Sequence, residues 1–291
     1  MTELLQQVAN GLAAGAIYAL IAVGYSLVYG VLELINFAHG DVFMFSTFAA
    51  VALLLGGAPV PIALALSVGI GAVIGLIIER FAYRPLRSAN RLAPTITAVG
   101  AALILENLAV LLWGPATRPF PVQPPNVLFN VFGATVTLMQ VVILATAGIL
   151  AFATWIVVQF TTWGRRMRAI RDDAATAQLI GIPVDRTIAV VYAFGSMLGV
   201  VGGILYAMQY NAVYIGMGFT GTMNAFVAAV IGGIGSLRGA FVGGILLGVL
   251  QALAIGYVAS GFSNTVAFVV MGVMLTVRPY GLFGSRKAAR I

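Results

Sequence analysis

The stretch GAIYALIAVGYSLVYGVLELINFAHGDVFM, residues 15–44, is apolar over most of its length yet holds Glu33, Asp41 and the single histidine of the chain, His39. About 20 apolar residues suffice for a helix to cross a bilayer. The stretch therefore predicts the end of one membrane helix and the start of a second, with polar groups at the junction. Such groups are costly there, and four roles are open for them: metal site, proton relay, substrate site or structural hinge.

The rest of the chain has the same character. Hydrophobic residues make up 61%, charged residues 8%, and the mean hydropathy is +1.06. A soluble domain carries about a quarter charged residues, so this composition predicts an integral membrane protein. Apolar runs fall near 8–29, 36–56, 60–78, 94–113, 136–159, 187–208, 220–236, 240–258 and 263–277. The expected fold is an all-α polytopic membrane protein, one transmembrane domain over residues 1–291, with eight or nine transmembrane helices and broken or re-entrant glycine-rich segments. The first residues, MTELLQQ, lack the basic region of a cleaved signal peptide, so the first run is expected to be retained.

A net charge of +7 raises the possibility of nucleic acid as partner, but the basic residues fall in the breaks between apolar runs. Arg80, Arg84, Arg87 and Arg91 follow the third run, and Arg165, Arg166, Arg168, Arg171 and Arg186 follow the fifth. Arg238 separates the seventh and eighth, and Arg278, Arg286, Lys287 and Arg290 form the tail. If the runs alternate in direction, all of these share one face and Arg118 alone lies on the other. The positive-inside rule makes the shared face cytoplasmic, the C-terminus included. The N-terminus is outside if residues 30–36 form a full cytoplasmic turn; a break within the bilayer would change that count.

The outer loop at about 114–135 has five prolines within GPATRPFPVQPP and reads as a stiff, non-helical cover. It suits an extracytoplasmic partner and an ordinary loop equally. Residues 163–186, WGRRMRAIRDDAATAQLIGIPVDR, form the longest polar stretch. Met167, Ile170, Ala174, Ala177 and Ile180 recur at spacings of three and four, which predicts a short amphipathic helix. Gly181 and Pro183 end it. Such a helix rests on anionic lipid or docks a soluble protein.

Glycine spacing predicts close helix packing through Gly195, Gly199 and Gly203 and through the 239–248 segment. The Gly11/Gly15 and Gly71/Gly75 pairs carry less weight in a chain with 35 glycines. In GGIGSLRGAFVGG (232–244), Gly232, Gly233 and Gly235 predict a broken helix or tight re-entrant turn. GAIYAL (15–20) and GILYAM (203–208) hint at an internal repeat, of the kind common in transporters.

Enzyme chemistry finds little support. Cysteine is absent, which excludes disulfides, thiolate chemistry and Cys-based metal sites. A metal site would have to combine His39 with Glu33, Asp41 or Glu106. No HExxH, GxSxG or GxxxxGK[ST] motif occurs, so the chain does not hydrolyse ATP by itself.

These residues resemble a known family. The 15–44 stretch is similar to the N-terminal signature of permeases of branched-chain amino acid ABC importers, and the likeness continues through RAIRDDAATAQLIGIPV, GGIGSLRGA and VRPYGLFG. It covers nearly the whole chain and favours the H-type permease over its longer partner. The resemblance implies no catalytic residue, metal or cofactor on this chain. ATP and Mg would be held by two cytoplasmic ATPase subunits. A second permease subunit (or a second copy of this one), a periplasmic binding protein and the lipid bilayer complete the set of partners, with no nucleic acid. The setting would be the bacterial inner membrane.

The resemblance also makes 163–186 the segment that couples to an ATPase, with Arg168, Arg171, Asp172, Asp173, Ala174, Ala177 and Gly181 as the residues concerned. The general coupling motif, Glu-Ala-Ala then three residues and Gly, is matched loosely, since five residues separate Ala175 from Gly181. Asn36, His39, Gly40 and Asp41, with Gly232, Gly233 and Gly235, become candidates for the translocation pathway or for helix breaks. Asn36 and Asp41 are also expected to cap the second helix. Related permeases carry urea or short amides. The rivals from other classes are a proton-coupled transporter using Asp41, His39 or Glu106, and a structural subunit that anchors an enzyme complex.

The arginine distribution yields a first prediction. Single cysteines at Ser88 and Ser285 should resist an impermeant thiol reagent added to intact cells, and ready labelling of either from outside would overturn the assigned orientation.

Overall fold

The computed structural model describes residues 2–87, 90, 92–125, 127–131 and 133–284. Ser88, Arg91, Ser285, Arg286, Lys287 and Arg290, which bear on the orientation, lie outside them. Each apolar run is a helix. In chain order they are α1 (Thr2–Leu32), α2 (His39–Leu55), α3 (Val60–Ile78), α4 (Leu92–Trp113), α5 (Leu138–Phe160), α6 (Thr162–Asp172), α7 (Ala174–Leu179), α8 (Val184–Tyr210), α9 (Met217–Gly232), α10 (Leu237–Tyr257) and α11 (Ser263–Val277). A π turn (Glu79–Tyr83) and a 3-10 turn (Arg84–Leu86) extend α3. Among the described residues, α1, α3 with its extension, α4, α5, α8 and α10 are long and apolar enough to cross a membrane, and α2, α9 and α11 are shorter apolar helices. The chain is a multi-pass membrane protein.

Helix α1 lies at the centre, with buried side chains on all sides from Ile17 to Val28. By contrast α3, α4 and α5 expose much of their surface, including Ile62, Ile77, Ile96, Leu111, Ile149 and Phe152. In water those side chains would be a liability; in hydrocarbon they are the ordinary outer surface.

Two arrangements of opposite direction make up the bundle. In the first, α1 ends at Leu32, Glu33 takes φ 55°, and α2 begins at His39. In the second, α8 ends at Tyr210, Asn211 takes φ 48°, and α9 begins at Met217. Glu33 and Asn211 are the only non-glycine residues with positive φ among the described residues. Helix α1 packs on α10 while α8 packs on α3, so each half interlocks with the other. The contacts show the directions: Gly24 meets Gly195 and Ile21 meets Gly202, which makes α1 and α8 antiparallel. This is an inverted repeat. It pairs Gly40 with Gly218 rather than Gly15 with Gly203, so the GAIYAL/GILYAM echo is out of register with it.

Small residues bring these helices together. A Cβ at Gly11 would lie 2.6 Å from Val249 Cα, one at Gly15 would lie 2.8 Å from Ile245 Cα, and one at Gly248 would overlap the Gly15 backbone. The Gly11/Gly15 pair, discounted from spacing alone, thus lines a close helix contact. Packing of this kind drives helix association in lipid, where no hydrophobic effect operates between helices.

The described residues of the 114–135 loop are non-helical, and its second part enters an antiparallel hairpin, β1 (Leu128–Val131) with β2 (Ala134–Thr137). Its proline-rich part is stitched to the α8–α9 break, through Arg118 paired with Val213 and through Asn211 Oδ1, which accepts from Phe120 N at 3.1 Å and Gln123 Nε2 at 2.9 Å. One further expectation needs correction: segment 163–186 is not one helix. Asp173 turns extended (φ −162°) and its carboxylate accepts from Ala175 N and Thr176 N, capping a second helix.

The glycine contacts make a testable distinction. Gly248→Val should abolish or strongly lower the yield of folded, monodisperse protein. Gly69→Ala, whose Cβ meets nothing within 4 Å, should match the parent in thermal unfolding.

Candidate functional site

The sequence places its polar junction at 33–41, and the fold brings that junction inside the bundle. Gly24, against which His39 Nε2 packs, lies eight residues before the end of α1, about 12 Å along the axis. Helix α2 therefore starts deep within the protein, and α9 does the same from the opposite direction. Their first turns meet: a Cβ at Gly40 would collide with Gly218 O and Thr222 Oγ1, and one at Gly218 would lie 2.6 Å from Asp41 Oδ1. Asp41 thus sits where two helix N-termini converge. Both macrodipoles favour negative charge there, which gives a buried carboxylate oxygen without a hydrogen-bond partner among the described residues a physical reason to be tolerated. His39 is also buried, its Nε2 wedged against Gly24 and Gly199 and without a hydrogen-bond partner among the described residues.

The expected side-chain caps are absent. The N-cap of α2 is Ala38, with no side-chain cap bond. Asn36 instead turns its Oδ1 to Tyr83, whose one hydroxyl proton is shared between Asn36 Oδ1 (3.3 Å) and Ile35 O (3.1 Å). Tyr83 thereby holds the first break as the proline-rich loop holds the second. Gly232, Gly233 and Gly235 form the tight turn from α9 to α10, with positive φ at Gly233 and Gly235. Ser236 caps α10, and residues 282–283 bond to the last carbonyls of α9.

At the end of the bundle that carries Gln6, Arg118 and the hairpin lies a cavity of about 520 Å³ between α1, α8, α9, α10 and α11. Asn10, Tyr18, Tyr206, Gln209, Asn224 and Gln251 are among its polar groups, and among the described residues no charged side chain lines it. Gln251 Nε2 donates to Asn224 Oδ1 at 3.0 Å, which fixes two buried carboxamides in its wall. These residues escape a reading that looks for charges and motifs. The signal that would find them is uncharged amides inside apolar runs.

The opposite end gathers arginines. Arg87 bridges the buried Glu79 and Asp185, and Arg84 also pairs with Asp185, tying the end of α3 to the start of α8. Arg168 donates to Val158 O and Gln159 O, satisfying carbonyls at the end of α5. Arg171 lines a cavity of about 430 Å³ with Tyr29, Ser236 and Tyr280. Of the apolar stripe expected in this region, Met167, Ile170 and Ala177 are buried against the bundle, whereas Ala174 and Ile180 are exposed. Asp172 and Gly181 are exposed too. The outward face of α7 and its end carries Leu179, 87% exposed, and Ile180, 70% exposed. The structure therefore gathers the 163–186 candidates at one end and the 36–41 candidates at the centre, with the 232–235 turn at the arginine-rich end.

Comparison with known proteins fits this arrangement. Residues 7–277 match the family model described as the permease component of branched-chain amino acid transport systems. BraD of Pseudomonas aeruginosa, a high-affinity branched-chain amino acid transport permease, is 37% identical over 99% of this chain and 98% of its own. LivH of Escherichia coli, named likewise, is 35% identical over 99% of this chain and 97% of its own. Among solved structures, PsaBC from Streptococcus pneumoniae in complex with a Fab aligns with a TM-score of 0.53 at 14% identity, covering 94% of this chain and 92% of the matched one, a likeness of fold. The chain belongs to the family of permease components of branched-chain amino acid transport systems.

Proposed function

We propose that this chain is the membrane-spanning permease subunit of an ATP-driven importer that moves branched-chain amino acids, namely leucine, isoleucine and valine, across the bacterial inner membrane. The arginine-rich end, with the C-terminus, faces the cytoplasm. A periplasmic binding protein delivers the solute to the opposite end. Two ATPase subunits and a second permease complete the transporter, and ATP with Mg is held on the ATPases.

The observation that carries the reading is the outward face of α7. Leu179 and Ile180 stand almost bare on a helix that Asp173 caps and Gly181 ends. They lie at the arginine-rich end, in a polar segment that does not fit inside hydrocarbon. An exposed apolar pair on a rigid, capped helix suits a protein groove. The inward residues Met167, Ile170 and Ala177 anchor α6 and α7 to the bundle, so force applied at Leu179 is transmitted to the core of the protein.

The cavity at the far end supports a solute of zero net charge. Carboxamides and phenols donate and accept hydrogen bonds to an ammonium and a carboxylate alike, and no fixed charge traps either group. A transport path needs this weak, two-sided character, since selectivity can rest with the binding protein.

Leu179→Asp together with Ile180→Asp should leave insertion intact while ATPase subunits no longer co-purify and ATP-driven uptake stops. Retention of the ATPases with normal uptake would refute the coupling role of α7. For the central pair, His39→Gln should keep most transport and Asp41→Asn should lower the rate less than tenfold. Uptake that ignores ATP and follows the pH gradient would instead favour the proton-coupled rival.

A further inference from the structure

Helices α5 and α10 leave a groove of about 450 Å³ between them on the outer face of the bundle. Gly148, Phe152, Trp155, Leu237, Phe241 and Phe283 are among the residues that line it. The face of α5 that borders it is apolar and exposed, with Ile149, Phe152 and Ile156 along it. Gly148 leaves the floor open: a Cβ there would meet nothing within 4 Å.

At the arginine-rich end of this groove stands Arg238, in the first turn of α10. It is exposed and makes no hydrogen bond or ion pair among the described residues. Its guanidinium lies 4.5 Å over the Trp155 ring. A cation in the first turn of a helix is disfavoured by the macrodipole, and the stack on Trp155 offsets part of that cost. With one face on the ring, the edge of the guanidinium remains free, and its paired N–H groups match the two oxygens of a phosphate. The groove then leads from that edge about 10 Å inward along α5, from Trp155 to Gly148 at about 1.5 Å per residue.

We propose that the α5–α10 groove is a binding site for one anionic phospholipid, its phosphate on Arg238 and one acyl chain laid over Trp155 and Gly148. The charge selects the headgroup class, since a zwitterionic lipid presents its own cation beside the phosphate. The nearly all-apolar lining selects a hydrocarbon chain over a peptide, which would bring backbone groups that find no partner there. Such a lipid stiffens the junction between α5, which leads directly into α6 and α7, and α10.

The test uses tryptophan quenching by brominated lipid in vesicles of phosphatidylcholine holding the full chain. The Trp155 signal is the difference between the parent and Trp155→Phe. Brominated phosphatidylglycerol should quench it at about a fivefold lower mole fraction than brominated phosphatidylcholine, the factor expected for one basic residue at an anionic surface. Arg238→Gln should erase that preference, and Gly148→Leu, which fills the floor without a clash at Cβ, should weaken quenching by both lipids. Equal quenching by the two lipids in the parent, or a preference that survives Arg238→Gln, would overturn the proposal. So would quenching by neither lipid, which would mean that protein covers the groove.

Discussion

The bundle depends on the close approach of two helix starts at its centre. Gly40 on α2 and Gly218 on α9 touch through backbone, with no space for a side chain on either. That contact permits both helices to begin inside the protein instead of at a membrane surface. Within a bilayer, irregular backbone is tolerated only where protein or water can satisfy it. The two breaks meet that condition differently: Tyr83 holds residues 35–36, and Arg118, Phe120 and Gln123 hold residues 211–213.

An inverted arrangement of this kind has mechanical consequences. Because α1 packs on α10 and α8 packs on α3, the two halves are interlocked. Asp41 sits at the shared point, held by two helix dipoles rather than by a cation. From there α2 and α9 run to opposite ends of the bundle. One end offers an uncharged polar cavity beside Asn224 and Gln251, and the other offers the exposed tip of α7.

Much of this was legible in the residues. The third run, 60–78, coincides with α3 because a bilayer imposes a length that apolar counts reveal directly; the ninth, 263–277, coincides with the shorter α11. The break after Leu32 was visible only as a cluster of polar residues, since Leu34, Ile35 and Phe37 read as helix or loop equally well. Its depth was not legible, because depth depends on Gly24, Gly199 and Gly218, residues distant in sequence. Periodicity found the inner stripe Met167, Ile170 and Ala177, yet it carried the same helix through Asp173, where the capping carboxylate starts a new axis. Inside an apolar span periodicity says little, and for that reason it does not single out the cavity residues Asn10, Asn224 and Gln251.

The central claim is that Gly40 and Gly218 share one contact. A double-mutant cycle on thermal unfolding in detergent, with Gly40→Ala, Gly218→Ala and the pair, measures it most directly. If the two positions meet, each single substitution is strongly destabilising and the second adds much less than it does alone, because the helices have already been forced apart. Additive effects, or single substitutions as mild as Gly69→Ala, would contradict the account.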